Sequence, residues 1–241
     1  MNTRFLGVAP LLFVVGALVA APVAAQNQPV RPEGSLSFLV GVPQGAFSDN
    51  VSDPGFGIDL FAGLGLGQSP VVIGLDLGVL VYGREVRHEP FSNTIPDVRV
   101  RVETTNNIFQ THFVLRLQPP RGAVRPFADG LVGVKYLFTQ TQIDSEGFNG
   151  NDPIASSTNF DDFALSYGVG GGLAFDLYRP TGENQEVRAV VLTVGAQYLL
   201  GAEADYLQEG SIRREDGDIA FDVDRSRTTL LEPYLGVGVR F

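Results

Sequence analysis

Cysteine is absent from the 241 residues, which excludes disulfide stapling and lipidation of a cysteine behind a signal, so stability has to come from backbone pairing and packing. Long apolar runs are lacking too. Beyond residue 25 no uninterrupted stretch approaches the ~20 residues of a membrane helix, so a mature chain that enters a bilayer must do so as strands. Histidine is reduced to His88 and His112, which limits general acid–base chemistry. Positive charge is scarce as well, with 17 basic residues against 27 acidic ones. Without residues 1–25 one Arg goes and no acid does, leaving 16 − 27 = −11. A chain of that charge is a poor partner for nucleic acid.

Glycine, by contrast, is plentiful at 29 residues beside 15 Pro, too many for a helical bundle, and the expectation is one β-rich domain. Arg4, the apolar stretch Phe5 to Ala21, and Val23-Ala24-Ala25 form the charged, apolar and small-residue regions of a secretory signal. Pro10 and Pro22 interrupt that stretch, which favours cleavage after Ala25 over an uncleaved anchor. The expected organisation is a signal peptide over 1–25, a short periplasmic segment over 26–33 and a barrel domain over 34–241.

Period-two alternation recurs wherever the sequence is regular. Phe56, Ile58, Leu60, Ala62, Leu64 and Leu66 lie on one face, with Gly57, Asp59, Phe61, Gly63 and Gly65 on the other. The pattern repeats in segments around Leu36 to Val42, Ile73 to Tyr82, Phe109 to Leu117, Ala128 to Phe138, Phe163 to Asp176, Val190 to Tyr198 and Tyr234 to Phe241, which makes eight strands. Connections alternate in length. Gly67 to Pro70, Pro119 to Val124 and Arg179 to Glu186 are short; Pro43 to Pro54, Arg84 to Asp97, Asp144 to Asp161 and Gly201 to Ser226 are long. Short turns on the periplasmic side and long loops outside are the asymmetry of an eight-stranded antiparallel up-and-down transmembrane β-barrel.

A lipocalin-type soluble barrel is the alternative, with apolar residues inside. Aromatic placement separates the two. Tyr136, Phe138 and Tyr198 fall late on rising strands, and Phe56, Phe109, Phe163 and Tyr167 early on descending ones, forming a belt at one interface; Phe175 and Phe241 mark the other. The opposite face is small or charged with both signs, as the narrow lumen of eight strands requires. Asp76, Arg116, Asp129, Lys135, Asp176, Glu232 and Arg240 are the expected lumen ion-pair network, joined by Asp59, with Arg116, Asp129, Asp176 and Arg240 close together at the periplasmic end.

Four passages carry a resemblance: Gly41-Val42-Pro43-Gln44-Gly45-Ala46-Phe47, Arg125-Pro126-Phe127-Ala128-Asp129-Gly130, Tyr167-Gly168-Val169-Gly170-Gly171-Gly172, and the ending Pro233-Tyr234-Leu235-Gly236-Val237-Gly238-Val239-Arg240-Phe241. Over its whole mature length the chain resembles the small outer-membrane β-barrel superfamily of OmpA-like and OmpX-like barrels. The resemblance implies an outer membrane of a Gram-negative bacterium, with lipid and lipopolysaccharide around the wall. It also implies that Leu235, Val237, Val239 and Phe241 are the signal read by the barrel-assembly machinery. The sequence departs from OmpA in having nothing after Phe241, and Gln26 to Glu33 is too short to replace that protein's cell-wall-binding domain.

The function these readings favour is non-enzymatic, either envelope integrity or contact with an extracellular ligand through the long loops, with no cofactor. Two alternatives remain. A barrel enzyme acting on lipid A or peptides would need a base beside a nucleophile; His112 faces the lumen with no Ser at dyad spacing, and His88 sits in a loop as Arg87-His88-Glu89. A narrow pore would need a lumen free of paired charge. Acidic third and fourth loops, with Asp144, Glu146, Asp152, Asp161 and Asp162 in the third, offer oxygen ligands for divalent cations. Asp216-Gly217-Asp218 lacks EF-hand spacing and reads as a hairpin turn between Ser211-Ile212-Arg213 and Ile219-Ala220-Phe221.

Overall fold

The computed structural model describes residues 30–92, 95–145, 153–180, 186–215 and 218–241. The expected signal peptide, its cleavage point and residues 26–29 lie outside them. Eight strands close into a barrel: β1 (Val30–Pro43), β2 (Gly55–Leu66), β3 (Val71–Ser92), β4 (Ile95–Leu117), β5 (Val124–Ser145), β6 (Pro153–Tyr178), β7 (Ala189–Gly201) and, after a long excursion, β12 (Leu230–Arg240). Every strand pairs antiparallel with its neighbours, and β12 meets β1 to complete the ring. The chain is an eight-stranded up-and-down barrel.

Alternation dictates the wall. Leu36, Phe38, Ile58, Ile73, Phe113, Leu115, Val132, Leu165, Val169, Leu235 and Val237 are exposed, whereas their strand neighbours are buried, half-buried or glycine. Between Phe109 and Leu117 the outward face rises about 27 Å along the strand, or about 20 Å at a tilt of ~40°, most of the ~25 Å height of an outer-membrane apolar band. Gly133 is required by this packing, because a side chain there would strike the Thr111 carbonyl of the next strand. Gly67 turns β2 into β3 with φ 55°, and Ser69 donates from its backbone N–H and its hydroxyl to the Leu66 carbonyl at 3.0 and 2.7 Å.

Three boundaries differ from expectation. Val30 to Glu33, placed in the periplasmic segment, already belong to β1 and pair with Leu66 to Gly63. Arg84 to Asp97 and Asp144 to Asp161 are mostly strand rather than loop. Thr, Ser, Asn, Gln and charged residues interrupt the apolar alternation there without interrupting backbone pairing, so periodicity fades while the ladder continues. β3 to β6 therefore rise well above the rest of the wall as a polar four-stranded fin. Its cross-strand contacts include Arg84 with Glu103 at 2.6 Å, Thr104 with Thr141 at 3.0 Å and Asn159 with Thr141 at 2.6 Å. His88 sits on β3 within it, not in a loop.

A lid covers the loop end of the barrel. Helix α1 (Ala46–Asn50), between β1 and β2, drives Phe47 into the mouth, where it is fully buried. The excursion between β7 and β12 supplies β8 (Glu203–Tyr206) paired with β11 (Asp224–Arg227), and β9 (Ile212–Glu215) paired with β10 (Asp218–Phe221). The β9–β10 pairing flanks Asp216-Gly217 as the hairpin reading requires, although that dipeptide is outside the described residues. Phe47 meets the Tyr206 ring edge-on at 5.1 Å and the Tyr82 ring at 5.9 Å. Asn50 donates to the Tyr206 hydroxyl at 2.9 Å, and Tyr82 donates its hydroxyl to the Leu207 carbonyl at 3.0 Å. Beneath them Leu39, Leu80, Ile108, Leu137 and Leu230 form a dry core inside the upper lumen.

The seam that closes the ring is irregular. β1 and β12 are in register from Glu33 opposite Arg240 to Leu39 opposite Tyr234, and again at Val42 opposite Leu231, but no rung joins Val40 and Gly41 to Pro233 and Glu232. Proline has no N–H to donate. Just above the gap, Gln44 donates its backbone N–H to the Thr229 carbonyl at 3.0 Å, tying loop one to loop four.

Candidate functional site: the filled lumen

Inward side chains are stacked in layers below the lid. In the middle layer Lys135 and Glu232 are fully buried. The Lys135 ammonium donates to the Thr228 carbonyl at 2.8 Å, and Gln110 and Gln197 donate to one Glu232 oxygen at 2.9 and 2.8 Å. Both residues belong to the expected ion-pair network, yet each is met by neutral partners; side-chain amides and a backbone carbonyl escape a count made from charges alone.

Asp76 is also set apart from that network. It lies one strand from His112, Oδ1 to Nδ1 at 3.7 Å, and the other imidazole nitrogen, Nε2, is 2.9 Å from the Ser166 hydroxyl. Sequence spacing offers no Ser suited to His112; the barrel supplies one from β6, 54 residues away and two strands across. Ser166, His112 and Asp76 thus stand in a row with the residue types of a hydrolytic triad. All three are buried, Ser166 and His112 to 1% exposure, and the cavities at the turn end are lined by other residues. Ser166 and His112 hydrogen-bond to each other, but His112 Nδ1 and Asp76 Oδ1 have no hydrogen-bond partner among the described residues, so the row is a buried polar layer of the core and not a linked relay.

The lower layer is where the charges gather. Arg116 and Asp129 oppose each other on β4 and β5, and the guanidinium is sandwiched between the Phe61 and Phe127 rings at 4.0 and 4.3 Å. Below them Asp176 accepts from Arg240 at 2.8 Å and from Arg179 at 2.7 Å, and lies 3.5 Å from Arg125. Glu33 connects the two groups, 3.7 Å from Arg116 and 4.0 Å from Arg125. Arg116, Asp129, Asp176 and Arg240 therefore share one assembly, held together by two residues outside the expected network. Glu33 falls in the segment expected to precede the barrel. Arg125 has the inward parity of Phe127 and Asp129, a legible signal that is masked by its place at a turn boundary.

The aromatics sit as a belt around the loop end of the wall. Tyr136 stacks on Phe138 at 5.2 Å and packs against Phe163 at 4.6 Å, and Phe38 stacks on Phe56 at 6.2 Å. Phe109 is opposite Tyr136 in register, and Tyr167 and Tyr198 point outward on the next strands. Phe175 faces out at the turn end. Leu235 and Val237 are exposed, Val239 is partly covered, and Phe241 follows the strand with its N–H bonded to the Pro32 carbonyl at 3.0 Å. Of the acidic loop residues, Asp162 uses its carboxylate oxygens to accept from the Phe163 and Asp205 backbone N–H groups, each at 2.8 Å. Glu146 and Asp152 are outside the described residues, and among those described no cluster of His and acidic side chains is arranged to hold a metal.

The closed ring, its apolar outside and its filled inside define the architecture of a small outer-membrane β-barrel. No family model matches the chain, and no curated protein matches it. Among solved structures it is similar to Neisserial surface protein A, at 12% identity over 88% of this chain and 95% of that one, with a TM-score of 0.36. It is also similar to the Yersinia pestis outer membrane protein Ail, at 14% identity over 87% and 99%, with a TM-score of 0.34. A third similar structure is a major outer membrane protein from Thermus thermophilus, at 12% identity over 87% and 99%, with a TM-score of 0.39.

Proposed function

We propose that this chain is a non-enzymatic outer-membrane barrel of a Gram-negative bacterium, whose wall contributes to envelope integrity and whose loop-end fin and lid contact an extracellular ligand. The observation that carries the reading is the inversion of the barrel: apolar side chains cover the outside, while the inside is filled by a dry upper core and paired charges. A surface so apolar is stable only in lipid. Filled from the lid down to the Arg116 layer, the lumen is unsuited to diffusion, which disfavours the pore alternative. The polar fin of β3 to β6 supports the interaction role, since it holds a large pleated face beyond the aromatic belt.

The test has three parts. The chain should fractionate with outer membranes in a form resistant to alkaline extraction. In planar bilayers it should give no conductance comparable to a large porin. Shortening the β3–β4 and β5–β6 hairpins to the belt should abolish binding to the extracellular ligand while the barrel stays folded. Recovery in the soluble periplasmic fraction would overturn the membrane reading, and binding that survives both deletions would overturn the role of the fin.

A further inference from the structure

The chain carries a net charge of −10, yet its turn end is strongly positive. A cavity of about 400 Å³ opens there, lined by Arg31, Arg121, Arg125, Arg179, Arg188 and Arg240. Among the described residues the carboxylates facing this group are Glu33 and the terminal carboxylate of Phe241 in the lining and Asp176 behind it, so the formal balance is 6 − 3 = +3. Glu186, exposed in the turn before Arg188, lowers it only to +2. Like charges crowded into one cup repel, and a fold places them so at a cost that a bound anion removes.

The guanidinium groups are held before any ligand arrives. Arg31 donates through Nη2 to the Ser69 carbonyl at 2.8 Å and Arg179 through Nη2 to the Gly122 carbonyl at 3.0 Å. Arg125 donates through Nη1 to Gln118 at 3.1 Å, and Arg240 through Nη2 to Asp176 at 2.8 Å. Each still has donors in hand. The buried Nε atoms of Arg31, Arg125 and Arg240 have no acceptor among the described residues, and the Arg125 residue is only 2% exposed. Buried N–H groups rarely go unpaired. Arg121 and Arg188 are exposed and form no ion pair with a described residue.

From this geometry we infer that the turn-end cavity is a binding site for a phosphate ester. Rigid guanidinium forks match the paired oxygens of a phosphoryl group better than a carboxylate alone would use them, and several around one cup suit a dianion. The volume exceeds that of a bare phosphate and accommodates a glycerol- or sugar-sized substituent. Above the cavity, Arg116, Asp129, Phe61 and Phe127 close the lumen, so the site is a blind cup and not the entrance to a channel. A soluble phosphorylated compound and the headgroup of an anionic phospholipid share this chemistry.

Calorimetry in phosphate-free, non-ionic detergent with glycerol 3-phosphate as probe tests the first source. Thermal stability in nanodiscs of phosphatidylglycerol against phosphatidylcholine tests the second. Both are repeated on Arg31→Gln/Arg188→Gln, and on Arg121→Gln/Arg188→Gln, in which only exposed side chains change. Saturable binding of glycerol 3-phosphate weakened about tenfold or more in the variants supports a soluble ligand. Stabilisation by phosphatidylglycerol alone, lost in the variants, supports the headgroup. Absence of both effects, or effects of equal size in the wild type and Arg121→Gln/Arg188→Gln, overturns the proposal. None of these outcomes depends on the role of the fin.

Discussion

Arg116 and Asp129 face each other directly across the β4–β5 ladder, with Nε and Nη2 of the guanidinium 2.8 and 2.9 Å from the two carboxylate oxygens. The pair is buried and its cation is covered on both faces by aromatic rings. Asp129→Leu removes the carboxylate in hydrogen-bond contact with that cation and is expected to lower stability by about 3–5 kcal/mol. In Arg116→Met/Asp129→Leu most of the loss should return. Urea unfolding followed by the heat-dependent gel mobility of the barrel measures both.

Asp176 is the anchor of the lower layer, because three arginines converge on one nearly inaccessible carboxylate. Asp176→Leu is expected to cost a few kcal/mol in detergent, since it strands positive charge rather than removing an isolated contact. The same unfolding measurement should show Asp176→Asn falling between the two. A value unchanged from wild type would mean that water already solvates these arginines.

Phe47 is the wedge of the lid. Phe47→Ala should loosen the lid by about 3–5 kcal/mol, read as faster proteolysis between β7 and β12 with the barrel intact. Bilayer conductance should stay closed, because the Arg116 layer lies below and does not touch the lid.

Acid should weaken the fin before the wall. Arg84, hydrogen-bonded to Glu103, holds the Glu103 carboxyl below its ordinary value. A carboxyl depressed in the folded state stabilises above its unfolded value, and the contribution disappears as pH falls through the folded one. Hydrogen exchange in the β3–β4 extension should therefore rise only in acid below the ordinary glutamate range, and Arg84→Gln should flatten that dependence. Both side chains are solvent-accessible, so the effect is small.

Ser166 should be chemically silent despite its histidine. Fluorophosphonate probes are expected to leave the folded barrel unlabelled, and Ser166→Ala should cost about 1 kcal/mol of stability through the lost hydrogen bond. Labelling of Ser166 in the native protein would instead mean that the lumen opens to reagents.

Strand number, facing and the aromatic belt were legible because lipid and lumen impose opposite chemistry on alternate residues, as at Phe113 and His112. Two things were not. The fin continues on Thr, Gln and Asn, for which water on both faces erases the alternation; the partners of Asp76, Lys135 and Glu232 depend on strand stagger, which brings Ser166 to His112 from across β5. Leu80, Ile108 and Leu137 had the parity of the lumen but not its expected polarity, because a lid that excludes water permits an apolar filling.

The lid ties together the segments that flank the β1–β12 seam, Phe47 following β1 and Tyr206 preceding β12. These segments stand far apart in sequence, and they meet only when the ring is complete. Phe47 consequently works as a clock for assembly: its burial marks the moment of closure, and the fluorescence of Phe47→Trp would report when the last strand finds the first, across a join that Pro233 leaves two rungs short.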